Sequence, residues 1–212
     1  NILKITPEGI VSDHVTGLPG PVGMGFDSEG NLYVANYTGN NISKMTPEGI
    51  VTEFASDLDG PAGLFVNDQD EIFVTLYGAN FSENGNTVLE FDVEGNALNY
   101  AVGSGIHDAI GVVMDENRDM YVTNYGGGIV YKVDADQNIS NLGTIAGAQI
   151  NQIVYANGYV YVPSPNLRKI YRVNTTNGAV EHFAGTGGNV SYKNPLGKES
   201  CLIKSSKKAT YK

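Results

Sequence analysis

His107 and Asp108 are the residues of this sequence best suited to acid–base chemistry, because an imidazole beside a carboxylate can accept and return a proton. The chain has 3 histidines. His14 and His182 lie in segments assigned below to outer strands, so we expect both to be exposed. Neighbouring side chains often point apart, so the sequence leaves open whether His107 and Asp108 act together. It contains no phosphate loop, nucleophile elbow or zinc-ligand spacing.

Other candidate residues recur at the ends of short apolar segments. These segments are NLYVANY (31–37), EIFVTLY (71–77), DMYVTNY (119–125) and YVYVPSP (159–165). The candidate ligand-binding residues at their ends are Asn36, Tyr37, Tyr77, Asn124, Tyr125 and Ser164. Tyrosine supplies contact area, and asparagine and serine supply hydrogen bonds, which suits glycans, peptides or protein loops. The same residues would also serve as packing and loop-bonding groups, and both interpretations stay open.

Both sets belong to a repeat of about forty residues. TPEGIV at 6–11 returns at 46–51, and Pro21-Val22-Gly23 returns as Pro61-Ala62-Gly63, Ala109-Ile110-Gly111 and, altered, Gln149-Ile150-Asn151. Each copy reads as four strands, a to d, separated by Gly, Asn, Asp and Pro turns. Such a meander cannot bury its own faces, so the copies must stack. The sequence therefore predicts an all-β fold, a β-propeller of four-stranded antiparallel blades.

The repeat also predicts how the chain is divided. We expect strands c and d of a half-blade at 1–17 and whole blades at 18–57, 58–103, 104–146 and 147–185, with residues 187–212 a degenerate or closing segment. This is material for about five blades, which fits a five-blade ring or a truncated six- or seven-bladed propeller. The tail holds one more Pro195-Leu196-Gly197, and its basic residues have no counterpart in the repeat. The single cysteine, Cys201, excludes an internal disulfide.

Residues 21–44, PVGMGFDSEGNLYVANYTGNNISK, resemble NHL repeats and the superfamily that includes SMP-30/gluconolactonase-like and virginiamycin B lyase-like propellers. The resemblance covers residues 1–186 and implies a fold that carries hydrolases, lyases and binding modules alike. An SMP-30-like hydrolase implies a channel cation held by Glu, Asn and Asp. Here we expect only Asn151 to place an amide at the glycine of the Pro-x-Gly motif. A lyase implies Glu and Trp in strand b, and neither occurs there.

Strand ends locate the candidate residues on one face of the propeller. In a meander, the a–b and c–d turns share one face, and the b–c and d–a loops share the other. The first face has short turns such as DSEG (27–30), DVEG (92–95) and Asp68-Gln69-Asp70-Glu71. That last turn is acidic enough for Ca²⁺, but it lacks the Gly and distal Glu of an EF-hand loop, which favours a solvated turn. The second face carries the expanded segments Gly78–Asn86 and Gly185–Asn194, so we expect binding there.

Charge and composition argue against some classes of function. The net charge of −10 argues against nucleic-acid binding, and no segment is apolar for long enough to span a membrane. Neutral strand ends do not favour a divalent-cation site, so we expect no cofactor, with Ca²⁺ the one ion left open. We expect a non-catalytic binding module, extracellular or at the cell surface, that binds a protein, peptide or glycan. The alternative is a metal-dependent gluconolactonase-like hydrolase.

Overall fold

The computed structural model describes residues 1–78 and 85–187. Residues 79–84 of the expanded loop lie outside the described residues. So does the tail from residue 188, with Pro195-Leu196-Gly197 and Cys201. That the tail closes the ring therefore stays a prediction.

The described residues form strands and turns, with no helix. The strands are β1 (Ile2–Ile5), β2 (Val11–Val15), β3 (Pro21–Phe26), β4 (Leu32–Asn36), β5 (Asn41–Met45), β6 (Val51–Ala55), β7 (Pro61–Val66), β8 (Ile72–Leu76), β9 (Thr87–Phe91), β10 (Ala97–Val102), β11 (Ala109–Met114), β12 (Met120–Asn124), β13 (Ile129–Val133), β14 (Ile139–Thr144), β15 (Val154–Ala156), β16 (Tyr159–Ser164), β17 (Lys169–Asn174) and β18 (Val180–Ala184). No helix in this part of the chain could cross a membrane.

The strands pair as one two-stranded sheet, β1–β2, and four antiparallel four-stranded meanders. The meanders are β3–β6, β7–β10, β11–β14 and β15–β18, each in chain order. β-Branched and aromatic residues favour the strands, and Gly, Asn and Asp supply the turn conformations between them. The prediction of an all-β propeller of four-stranded blades is confirmed. We call the meanders blades 1 to 4 and β1–β2 the half-blade.

The core lies between neighbouring blades. Phe73 and Val88 of blade 2 pack with Val112, Met120 and Val122 of blade 3, and all five are almost fully buried. Burying a side chain of this size contributes about 2–3 kcal/mol. Each blade therefore depends on its neighbours to cover its apolar faces.

The innermost strands approach one another at the glycine of the Pro-x-Gly motif. A Cβ at Gly23 would lie 2.4 Å from the Ala62 carbonyl oxygen, and one at Gly63 would lie 2.4 Å from that of Ile110. A Cβ at Gly111 would lie 2.9 Å from that of Asn151. The glycine recurs because the next blade's backbone occupies the space of a side chain. We call Gly23, Gly63 and Gly111 the glycine column.

The glycine column corrects the predicted position of Asn151. Its carbonyl contacts Gly111 as the carbonyl of Ile110 contacts Gly63, so Asn151 corresponds to Ile110 and not to the glycine. Gln152 is the residue at the glycine position. The a–b turn of blade 4 is shorter than the others, with Ala156 paired to Tyr159, and this hides the one-residue offset from a sequence comparison.

Strand a of blade 4 is also shorter than predicted. β15 begins at Val154, whereas β3, β7 and β11 begin at the first residue of the Pro-x-Gly motif or its equivalent. Val154 pairs with Tyr161, so continued pairing would place Gln152 opposite Pro163. Proline has no N–H for the ladder, which accounts for the early end of the pairing.

The half-blade covers only part of blade 1. Ile2 and Val15 pack on Leu32, Val34 and Met45. On β3, the innermost strand of blade 1, the side chains of Met24 and Phe26 remain 55 % and 59 % exposed. The half-blade has the outer two strands of a blade, so the face of β3 is left uncovered by the described residues.

Candidate functional site

A central cavity runs along the innermost strands of the four blades. Its volume is about 410 Å³. Its lining is mostly apolar, with the Gln152 amide and the Tyr155 phenol as its polar side chains. It comes from all four blades: Val22, Gly23, Met24, Leu64, Phe65, Val112, Val113, Met114, Gln152, Ile153, Val154 and Tyr155. The Gln152 amide donates to the carbonyl of Ile110 at 3.2 Å. The cavity is within the size range of small-molecule sites.

The face formed by the b–c and d–a loops surrounds one end of this cavity, and we call it the mouth. Strand b ends there with Asn36, Asn124 and Ser164, as predicted, but all three are buried at 1 % exposure or less. Asn124 donates to the Gly105 carbonyl at 2.9 Å and accepts from the backbone N–H of His107 at 3.2 Å. Asn124 thereby holds the d–a loop before blade 3 in place, whereas Ser164 donates to Asn166 of the b–c loop at 2.8 Å. None of the three side chains faces solvent.

Asn36 makes different bonds from its counterpart Asn124. Its Nδ2 donates to Asn41 and Ser43, at 2.9 and 2.8 Å, but its Oδ1 has no partner. The residue that corresponds to His107 in the d–a loop of blade 1 is Pro19. Proline has no N–H, so the bond that satisfies Asn124 cannot form at Asn36.

Three tyrosines form a row across blades 1 to 3. Tyr37 and Tyr125 each meet Tyr77 edge to face, with ring centroids 6.0 Å apart. Tyr37 and Tyr77 are buried, and Tyr125 is half-buried. The Tyr37 hydroxyl donates to the Gly78 carbonyl at 2.8 Å. The row ties neighbouring blades together beneath the mouth.

The side chains of His107 and Asp108 are in contact. The carboxylate of Asp108 contacts His107 Nδ1 and accepts a second bond from the N–H of Gly126 at 2.6 Å. The Asp108 side chain is 4 % exposed, whereas that of His107 is 55 % exposed. His14 and His182 are exposed on outer strands, as predicted.

Two further asparagines lock loops at the mouth, and the sequence analysis did not select them. Asn40 accepts from the N–H of Gly60 at 3.3 Å. Asn166 accepts from the N–H of Gln149 at 2.9 Å and donates to the Gly147 carbonyl at 2.8 Å. Both are asparagines in b–c loops. Asparagine is common in ordinary turns, so its presence there did not indicate a role in holding a second loop.

The structure brings no metal-binding group together in the described ranges, where no three His, Cys, Asp or Glu residues converge. Asn151, the candidate metal ligand, is exposed near the mouth end of blade 4, and its carbonyl lies against β11.

The opposite face consists of the a–b and c–d turns, and we call it the turn face. Here the links between blades are made by exposed polar groups. Ser28 donates through N and Oγ to the carboxylate of Asp70, at 2.7 and 2.6 Å, which lowers the pKa of Asp70. Arg118 binds Glu71 at 2.7 Å. Burial raises the pKa of Glu71, but the bonds from Arg118 and Asn67 outweigh it, so that pKa is lowered.

The sequence matches no protein-family model and no curated protein. Several solved structures are similar. Virginiamycin B lyase from Staphylococcus aureus has a TM-score of 0.67 and 15 % identity, over 85 % of this chain and 61 % of that one. A protein assigned as a gluconolactonase has a TM-score of 0.70 and 12 % identity, over 87 % and 70 %. An auxiliary nutrient binding protein from Bacteroides thetaiotaomicron has a TM-score of 0.68 and 17 % identity, over 83 % and 44 %.

The chain shares the β-propeller fold of these structures. It spans 56 % of the length of the streptogramin B lyase and 61 % of the virginiamycin B lyase that it matches. At these identities the likeness concerns the fold, and function has to be argued from the site.

Proposed function

We propose that this propeller is a binding module whose ligand occupies the mouth and enters the central cavity. The cavity is the observation that carries the proposal. It is where the innermost strands of four blades converge, and the loops around it are fixed by buried amides and the tyrosine row. A site held rigid before binding loses little entropy on binding, which favours affinity.

The chemistry of the site favours a neutral ligand. The cavity offers apolar surface and the amide of Gln152, and the mouth offers an exposed imidazole. With a net charge of −10, the protein repels anionic partners at long range. An oligosaccharide or an uncharged peptide combines apolar faces with hydrogen-bond donors, so we propose these two ligand classes.

The nutrient-binding likeness supports this proposal. The neighbours from Bacteroides thetaiotaomicron and Bacteroides ovatus are auxiliary nutrient binding proteins. A module that captures nutrients has to meet them outside the cell. We propose an extracellular or cell-surface location, as the sequence analysis expected.

The metal-dependent hydrolase that the resemblance also implies needs a channel lined by carboxylates and amides. Among the described residues, the lining of the cavity includes no carboxylate and has the single amide of Gln152. No specific observation favours that alternative, and we do not propose it.

Isothermal titration with neutral pentasaccharides and uncharged peptides tests the proposal. We expect Gln152→Leu to weaken binding about tenfold, the effect of one lost hydrogen bond of about 1.4 kcal/mol. Glu48→Ala and Glu94→Ala alter exposed turns on the turn face and serve as controls. Binding that is weakened by the turn variants and not by Gln152→Leu would contradict the proposed face.

A further inference from the structure

Asp108 occupies a position where blades 1 and 2 have glycine. The equivalent residues directly precede strand a, and their carbonyls each accept the N–H of the tyrosine that follows strand b. The three pairs are Gly20 with Tyr37, Gly60 with Tyr77, and Asp108 with Tyr125. Their φ angles are 68°, 61° and 39°. Residues other than glycine are disfavoured in this region by about 1 kcal/mol or more, so blade 3 departs from the repeat at a cost in stability.

The strained position places a carboxylate directly beside His107. One oxygen of Asp108 accepts the Gly126 N–H, and the other contacts His107 Nδ1. The backbone N–H of His107 is bonded to Asn124, so the main chain on either side of the ring is fixed as well. The glycines of blades 1 and 2 have no side chain that could provide these bonds. Having Asp108 in place of glycine therefore orients the imidazole ring of His107.

The orientation determines what His107 offers to solvent. A carboxylate only accepts hydrogen bonds, so Nδ1 carries the proton and Nε2 carries the lone pair. Nε2 makes no hydrogen bond within the described part of the chain, and the side chain is 55 % exposed. His107 Nε2 is thus an exposed hydrogen-bond acceptor of fixed direction at the mouth. The acceptors of Asn124 and Asn166 are already used by loop N–H groups.

We infer that His107 is the ligand-contacting residue of the mouth. Nε2 accepts a hydrogen bond from a ligand hydroxyl, and Asp108 is the positioning residue that fixes the ring. The ligand class is a neutral polyhydroxy molecule, because its hydroxyl groups are donors and it carries no charge that the acidic protein would repel. This inference rests on the proposed binding function and names the group that would recognise the ligand.

Nitrogen-detected NMR of the histidine rings tests the geometry without a ligand. In the full chain at neutral pH we expect His107 in the single tautomer with the proton on Nδ1. Asp108→Gly restores the residue of blades 1 and 2, so it should fold, and it should give a mixture of tautomers. A tautomer mixture in the unaltered protein, or no change in Asp108→Gly, overturns the positioning role.

Titration with cellopentaose, maltopentaose and xylopentaose tests the contact. We expect at least one of them to shift the Nε2 resonance of His107, with an anionic oligogalacturonate giving no shift. His107→Gln should weaken that binding about tenfold and Asp108→Gly about fivefold, the size expected for losing or loosening one hydrogen bond. His14→Gln and His182→Gln, which alter exposed imidazoles elsewhere, should have no effect.

The outcomes separate the two proposals. If a neutral oligosaccharide binds, Gln152→Leu weakens it and His107→Gln does not, the binding function stands and the inference is wrong. If none of the oligosaccharides or peptides binds, the binding function fails, and the inference fails with it even when the tautomer is fixed. If the oligogalacturonate binds more tightly than the neutral sugars, the ligand class is wrong.

Discussion

The two faces of this propeller join the same blades by different chemistry. On the turn face, the links are ionic or involve hydroxyl groups, and they lie in solvent, as in Ser28 with Asp70 and Arg118 with Glu71. At the mouth, the bonds are made by buried neutral groups: the Tyr37 hydroxyl reaches Gly78 of the next blade, and Asn124 fixes the loop that leads into its own blade. Exposed ion pairs contribute little to stability, whereas a buried polar group costs free energy when its partner is lost. We expect the mouth to carry more of the stability per bond than the turn face.

Asn124→Ala should give the largest effect. It empties a fully buried position and removes two part-buried bonds, to the Gly105 carbonyl and from the His107 N–H, which should lower the free energy of unfolding by about 2–4 kcal/mol. Urea unfolding measures the difference. Asn138→Ala in the same blade is the matched control, because Asn138 is exposed on the turn face and bonds only to Asp134. Equal losses from the two variants would remove the contrast between the faces.

Tyr37→Phe should have the next largest effect. It removes the hydroxyl bond to Gly78 and keeps the ring against Tyr77, so we expect a loss of about 1 kcal/mol. Tyr37→Leu removes the edge-to-face contact as well and should cost about 1 kcal/mol more. Thermal unfolding of both variants separates the hydroxyl from the ring. No loss in Tyr37→Phe would mean that this bond does not stabilise the mouth.

Arg118→Ala should have a smaller effect. The side chains of Arg118 and Glu71 are 43 % and 32 % exposed, so solvent screens their attraction, and we expect less than about 1 kcal/mol. The difference from the unaltered protein should disappear in concentrated salt. A loss that persists in salt would show that Arg118 acts through packing.

The smallest expected effect is the pH dependence of stability, which should differ between substitutions on the turn face and at the mouth. The folded-state pKa values of Asp70 and Glu71 are lowered from 3.8 and 4.5. Such groups contribute stability above those values, and the contribution is lost as pH falls through the folded-state pKa. The cost of Arg118→Ala should therefore shrink between about pH 7 and pH 3, whereas that of Asn124→Ala should stay constant. Urea unfolding at both pH values measures the two costs. A cost of Arg118→Ala that stays the same or grows at pH 3 would contradict the prediction.

Much of the fold was predictable because the forty-residue repeat is visible in the sequence. Alternating strands and recurring turns predicted blades, and the stacking followed from the apolar faces. The misplacement of Asn151 has a local cause. The short turn at Ala156–Tyr159 and Pro163 of β16 change the pairing of blade 4, and neither change is visible in the residues of the Pro-x-Gly motif itself.

The site was less predictable than the fold. The sequence located Asn124 and Tyr37 at the mouth but could not tell whether their polar atoms face solvent or a neighbouring loop. That depends on contacts across blades, such as Tyr37 with Gly78, which are 41 residues apart. Their role as ligand-binding residues stays a prediction. His107 and Asp108 were recognisable by type, but their geometry depends on the positive φ of Asp108, a backbone conformation that favours glycine and that the sequence does not reveal.

Repeat proteins lengthen when whole units are duplicated, and the glycine column determines where a new unit would fit. A copy of a blade inserted after blade 1, 2 or 3 would meet a glycine, and the spacing of the strands would be kept. After blade 4 it would meet Gln152, which has a Cβ at the position where the other three blades have glycine and a neighbour's carbonyl lies close. An engineer who extends this chain would have to change that residue to glycine first. Blade 4 is therefore the blade that could least easily be exchanged for another in this chain.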